Sequence, residues 1–97
     1  MDKLILLFVI AMIYFSAQLG WAWYRKKRLI TTWNESQELL KTGHKEDALP
    51  LLRRCVRMEP AWPMAHVILG MTLANLGELD EGEKEIRMAA ELTPREV

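Results

Sequence analysis

The side chains able to do chemistry are few and scattered. His44 stands in a Gly-His-Lys turn with no ligand set around it, so it reads as a solvated loop histidine. His66 lies in a helical stretch with Trp62 and Gly70 at i−4 and i+4, where a helical zinc pair would need a second ligand. It reads as a helix-surface or groove residue. Cys55 is the only cysteine, which excludes an intramolecular disulfide, and it reads as a small buried apolar residue and not a nucleophile. Ser16 falls in an apolar run, and Ser36 has no histidine near it in sequence. The five glycines are dispersed, so they form no phosphate loop. The acidic run Glu78–Glu83 lacks the alternation of a calcium loop, and its charges suit the N-terminal end of a helix. Nucleophile, base and oxyanion donors are all missing, so the sequence predicts no catalytic residue, no metal and no cofactor.

The elements that carry these residues are bounded by size and charge. A chain of 97 residues allows one small domain. Thirteen basic and thirteen acidic residues balance overall, but not locally. Residues 1–28 hold Lys3, Arg25, Lys26, Lys27 and Arg28 against Asp2 alone, and the remainder is acidic by the same margin. With no broad basic stripe, nucleic acid is not expected as a partner.

Leu4 to Tyr24 is a run of 21 residues without a formal charge. At ~1.5 Å per residue a helix of this length covers ~30 Å, the thickness of a hydrocarbon core. Its backbone amides must be satisfied internally in lipid, which predicts a helix. Trp21, Trp23 and Tyr24 end the run, where amphipathic rings favour headgroups. Arg25, Lys26, Lys27 and Arg28 follow directly and resist translocation, which predicts an outside N-terminus and a cytoplasmic remainder. The rival is a cleaved signal peptide with Gly20-Trp21-Ala22 at the cleavage site, which would release a secreted module. Against it stand a barely positive n-region and a dense basic cluster directly after the site. Ser16 and Gly20, four residues apart, offer a small-residue face to another membrane helix, by design or by chance among the neighbouring alanines. Gln18, near the interface, needs no functional reading.

The rest of the chain repeats itself at 34 residues. Gly43 recurs as Gly77, Leu39 as Leu73, Arg53 as Arg87 and Glu59-Pro60 as Thr93-Pro94. Apolar periodicity predicts helices over Ile30–Thr42, Lys45–Met58, Trp62–Leu76 and Leu79–Leu92, punctuated by Gly43, Pro60, Gly77 and Pro94. No proline or glycine lies between Arg25 and Leu29, so the membrane helix is expected to run unbroken into the first of these, from about Leu4 to Thr42. Ala48 and Cys55, like Gly82 and Ala89, are seven apart and let paired helices approach closely.

With these residues the stretch Leu29–Pro94 resembles two tetratricopeptide repeats, over 29–60 and 61–94. Leu69-Gly70, Leu73, Gly82, Ile86, Ala89 and Pro94 fill the second repeat's slots. The first is looser. Gly43, Ala48, Leu52 and Pro60 fit, but Ser36 replaces the packing glycine, Cys55 a small alanine, and Thr32 takes the usual Trp slot with Trp33 beside it. Pro50 falls inside its second helix and removes a backbone hydrogen bond. The resemblance implies two helical hairpins over 29–97; with the apolar run ahead of them, the expectation is an all-α protein with a single N-terminal transmembrane helix, residues 1–28 with their basic flank.

The resemblance also implies a concave face built from Ile30, Trp33, Gln37 and Leu40 in the first repeat and Met64, Val67, Met71 and Ala74 in the second. Family members that grip acidic chaperone tails carry Lys and Asn there, so that mode is disfavoured. A largely apolar face with two methionines fits an amphipathic helix or apolar strand of a protein partner, and packing between helices is the plainer reading of each residue singly. Fewer than about three repeats seldom stand alone, so the outer face of Leu79–Leu92 is expected to be either polar or covered by another chain. The resulting expectation is a membrane-held interaction module: adaptor, receptor or assembly factor, or else a small structural subunit of a larger integral membrane complex. Homo-oligomerisation is a further option. The architecture is similar to membrane-anchored repeat proteins that recruit bacterial envelope enzymes and to the anchored import receptors of mitochondria.

Overall fold

A computed structural model of the chain describes residues 2–93. They form four helices: α1 (Asp2–Lys41), α2 (Lys45–Met58), α3 (Pro63–Asn75) and α4 (Leu79–Leu92). The expected limits of α2 and α4 are met, and α3 is one residue shorter at each end than its periodicity suggests. Pro63 occupies its first turn, where the missing N–H has no intrahelical partner to lose. α2 continues through Pro50. Pro94 and the three residues after it lie outside the described residues.

α1 is one unbroken helix of 40 residues. It passes from the apolar run through the basic cluster into the first packed helix, because nothing between Arg25 and Leu29 can break it. At ~1.5 Å per residue it is ~60 Å long, close to the 66 Å longest dimension of the molecule. Every described residue before Leu29 is exposed. The helix is long and apolar enough to span a membrane, and its apolar stretch is not buried against the rest of the described residues.

The remaining architecture repeats at 34 residues. α1 and α3 end at 41 and 75, α2 and α4 begin at 45 and 79 and end at 58 and 92. The turns are equivalent in detail. Gly43 (φ +83°) donates its N–H to Leu40 and His44 donates to Leu39; Gly77 (φ +93°) donates to Ala74 and Glu78 donates to Leu73. This is the double hydrogen bond of a Schellman cap, and it needs a left-handed residue at the glycine position. Helices pack in chain order, α1 on α2, α2 on α3 and α3 on α4.

Ala48, Leu52, Leu69 and Leu73 make the buried core, with Trp33, Leu39, Leu40, Leu49, Val56 and Ile68 packed around them. Each fully buried leucine contributes roughly 1.5–3 kcal/mol. The two hairpins differ in closeness. A Cβ on Gly70 would lie 2.8 Å from the Gly82 carbonyl oxygen, and one on Gly82 would lie 2.7 Å from the Gly70 oxygen. α3 and α4 thus touch backbone to backbone. At the equivalent places α1 and α2 carry Ser36 and Ala48, both fully buried, so that pair tolerates side chains between its axes. Ser36 turns its hydroxyl inward to the Trp33 carbonyl at 2.6 Å.

Candidate functional site

The residues of the expected concave face occupy equivalent positions in the two hairpins, Ile30 with Met64, Trp33 with Val67, Gln37 with Met71 and Leu40 with Ala74. Ile30, Met64 and Met71 are each about half exposed. Met64 and Met71 are seven residues apart and share one face of α3. Gln37, Leu40, Val67 and Ala74 are half-buried. Trp33 is half-buried too, with its ring centroid 4.4 Å from that of Trp62 at 47°. This pair ties α1 to the start of α3 and joins the core, so Trp33 supports the fold as well as lining a surface. The exposed members of the set are apolar, and two of them are methionines with flexible thioether side chains.

Gln37 carries an oddity. Its Nε2 is buried and has no hydrogen-bond partner among the described residues. An unmatched buried donor costs about 1–3 kcal/mol. Gln37→Met keeps the length and removes the polar group, so the midpoint of urea unfolding followed by circular dichroism is expected to rise by about 1 kcal/mol equivalent.

His66 is placed differently from its expected position. It is buried, not on the surface or in a groove. Nε2 donates to the Pro60 carbonyl at 2.7 Å, and Nδ1 meets Glu85 Oε2 at 2.7 Å. The ring therefore staples the α2–α3 turn to α3 and α4. A search for acids four residues away misses Glu85, because it comes from the neighbouring helix. The antiparallel pairing supplies the signal: counting back four from Gly70 and forward three from Gly82 gives His66 and Glu85.

Cys55 is fully buried, and burial pushes its thiol pKa up. This is the opposite of what a reactive thiolate needs. His44 contacts the Thr42 hydroxyl at 2.9 Å in the exposed turn. Among the described residues no three His, Cys, Asp or Glu side chains are grouped to hold a metal ion.

Arg53 on α2 bridges to Glu81 on α4. The hydrogen bond from Arg53 holds the Glu81 carboxyl below the usual carboxylate range and raises Arg53. A depressed carboxyl stabilises the fold above its unfolded pKa, and that contribution disappears as pH falls through the folded value. Wild-type stability is accordingly expected to drop at acid pH more steeply than that of Glu81→Gln, as read by urea midpoints across an acid titration. The half-exposed geometry keeps the difference small.

At the basic cluster the structure assembles what the sequence places on one helix only. Lys27 Nζ lies 5.2 Å from the centroid of the Trp23 ring, and Arg28 Nη1 donates to the Tyr24 hydroxyl at 3.3 Å. Trp21 and Tyr24 stack at 6.1 Å. Arg25 reaches the Met58 carbonyl at 3.3 Å, placing the C-terminal end of α2 beside the basic cluster. Lys26 lines the small concavity there with Arg25, Leu29 and Met58. Within the apolar run, Ser16 borders a shallow apolar concavity with Phe8, Ala11, Met12 and Phe15, and a Cβ on Gly20 would meet nothing within 4 Å.

Among the described residues the fold is all-α, with four helices, the first of them long and apolar enough to cross a bilayer. No protein-family model, curated protein or solved structure matches the chain.

Proposed function

We propose that the chain is a single-pass membrane protein that holds a protein partner at the cytoplasmic membrane face, as an adaptor, receptor or assembly factor. The helices beyond Leu29 act as two tetratricopeptide-like hairpins. The observation that carries this reading is the continuity of α1. A helix without a hinge sets the packed hairpins at a fixed height and angle above the lipid, which lowers the entropy lost when a partner docks. The matched Schellman caps support the repeat reading, and half-exposed Ile30, Met64 and Met71 supply an apolar surface for an amphipathic helix. The basic cluster after Tyr24 supports the orientation, with the N-terminus outside.

The open face around Gly20 favours a second reading, a structural subunit packed against other membrane helices. Photo-crosslinking groups at Met71 and, separately, at Gly20 in intact membranes separate the two. Capture of a water-soluble protein at Met71 is the expected result. Capture only of an integral membrane protein at Gly20 would transfer the assignment to the accessory subunit. Alkaline carbonate is expected to leave the chain in the pellet, and a mature N-terminus near Trp23 would remove the anchor altogether.

A further inference from the structure

We propose that the concavity between α1 and α2 at the end of the apolar run binds the phosphate of an anionic phospholipid. This rests on the membrane-anchor reading. The concavity has a volume of about 420 Å³ and is lined by Trp23, Tyr24, Lys27, Arg28 and Arg54, with Glu35 further up α1. Three cations therefore converge there from two helices. Lys27 and Arg28 stand three and four residues past Tyr24, or ~4.5–6 Å beyond the hydrocarbon boundary. Phosphates occupy that depth, since headgroups add roughly 5–8 Å to each side of the core. The third cation depends on the tertiary fold. α2 descends antiparallel to α1 until the Met58 carbonyl meets Arg25. Arg54, one turn before Met58, is then level with Lys27 and Arg28. Glu35 is eight residues beyond Lys27, ~12 Å higher, and leaves the lower end of the concavity cationic.

Two contacts orient the lower pair. The Trp23 face holds Lys27 and the Tyr24 hydroxyl holds Arg28, so both charges are kept at the rim of the apolar run. The Thr31 and Thr32 hydroxyls already donate to the Lys27 and Arg28 carbonyls, which leaves recognition to the cations. A soluble phosphate could use the same charges. A lipid also uses the aromatic wall and the apolar surface beneath it, where its acyl chains continue along α1, and this decides the assignment.

The test uses the full chain in phosphatidylcholine vesicles, with spin-labelled phosphatidylglycerol or spin-labelled phosphatidylcholine as probe. Electron paramagnetic resonance reads the motionally restricted fraction. The glycerol lipid is expected to be selected over the choline lipid, and Arg54→Gln to reduce that selectivity about fivefold. Arg57→Gln removes a charge of the same helix that lines a different concavity, and is expected to leave selectivity unchanged. Equal losses from both variants would show diffuse attraction and overturn the site. Relief of the restricted fraction by millimolar inorganic phosphate would overturn the lipid assignment. A chain that stays with the vesicles through carbonate but shows no lipid preference sinks this proposal alone, whereas a chain released by carbonate sinks the anchor reading beneath it.

Discussion

Gly82→Leu is expected to separate α3 from α4. The close approach at Gly70 and Gly82 leaves no room for any side chain, since even a Cβ would stand 2.7 Å from a backbone oxygen and 3.1 Å from the Ala74 nitrogen. Neither atom is the free end of a side chain that can swing away. The helices must move apart, and the packing of α3 on α4 is lost with the approach. Overpacking of this kind costs about 3 kcal/mol, at the upper end of the usual range. For a small helical module that is a large share of the total. The readout is the urea midpoint of the full chain in detergent micelles, followed by far-ultraviolet circular dichroism. Gly20→Leu is the matched control, because nothing stands near that position and its helix leaves the packed hairpins alone. A Gly82→Leu protein with the wild-type midpoint would show that the two backbones do not touch.

His66→Leu is expected to have an effect of similar size. The ring is buried and makes two bonds of 2.7 Å, one to a carbonyl and one to a carboxylate that is itself mostly buried. Leucine fills most of the volume but leaves the Pro60 oxygen and Glu85 without a donor. Pro60 is exposed and its oxygen can turn to water, so most of the cost falls on the mostly buried Glu85, and stranding a buried charged partner accounts for an expected loss of about 3 kcal/mol. A double-mutant cycle with Glu85→Leu isolates the pair. Removing both polar groups is expected to recover part of the loss, because the second change withdraws the stranded carboxylate. If the double variant were destabilised by the full sum of the two single changes, the contact would carry no coupling energy and the staple would be incidental.

Much of the fold was legible in the sequence, for reasons that act over a few residues. Gly43 and Gly77 end their helices because the Schellman turn requires a left-handed backbone, and Pro60 cannot continue the helix before it. These signals put both limits of α2 and the start of α4 in the right place. The small residues at 48, 55, 82 and 89 marked the faces where helices meet, and all four are buried. The continuity of α1 followed from the lack of a breaker between Arg25 and Leu29. The character of the run Leu4–Tyr24 followed from length and composition alone.

Other features depended on which residues of distant segments come to face each other. Trp33 read from sequence as a groove residue, yet its ring lies against Trp62, 29 positions on. His66 has no partner on its own helix because its carboxylate partner is 19 residues away. Arg54 carried no membrane signal in a helix that begins far along the chain, until the antiparallel descent of α2 brought it level with the basic cluster. Periodicity assigns a residue to a face of its own helix. It does not give the rotation and height of the neighbouring helix, which are set by how side chains of both interlock. The sequence by itself therefore determined where the helices start and stop, which stretch suits lipid and which faces are apolar. Only the tertiary structure decided that His66 is a buried staple, that the tryptophans pair and that three cations share one cavity, because each needs two segments aligned by packing and not by local backbone chemistry.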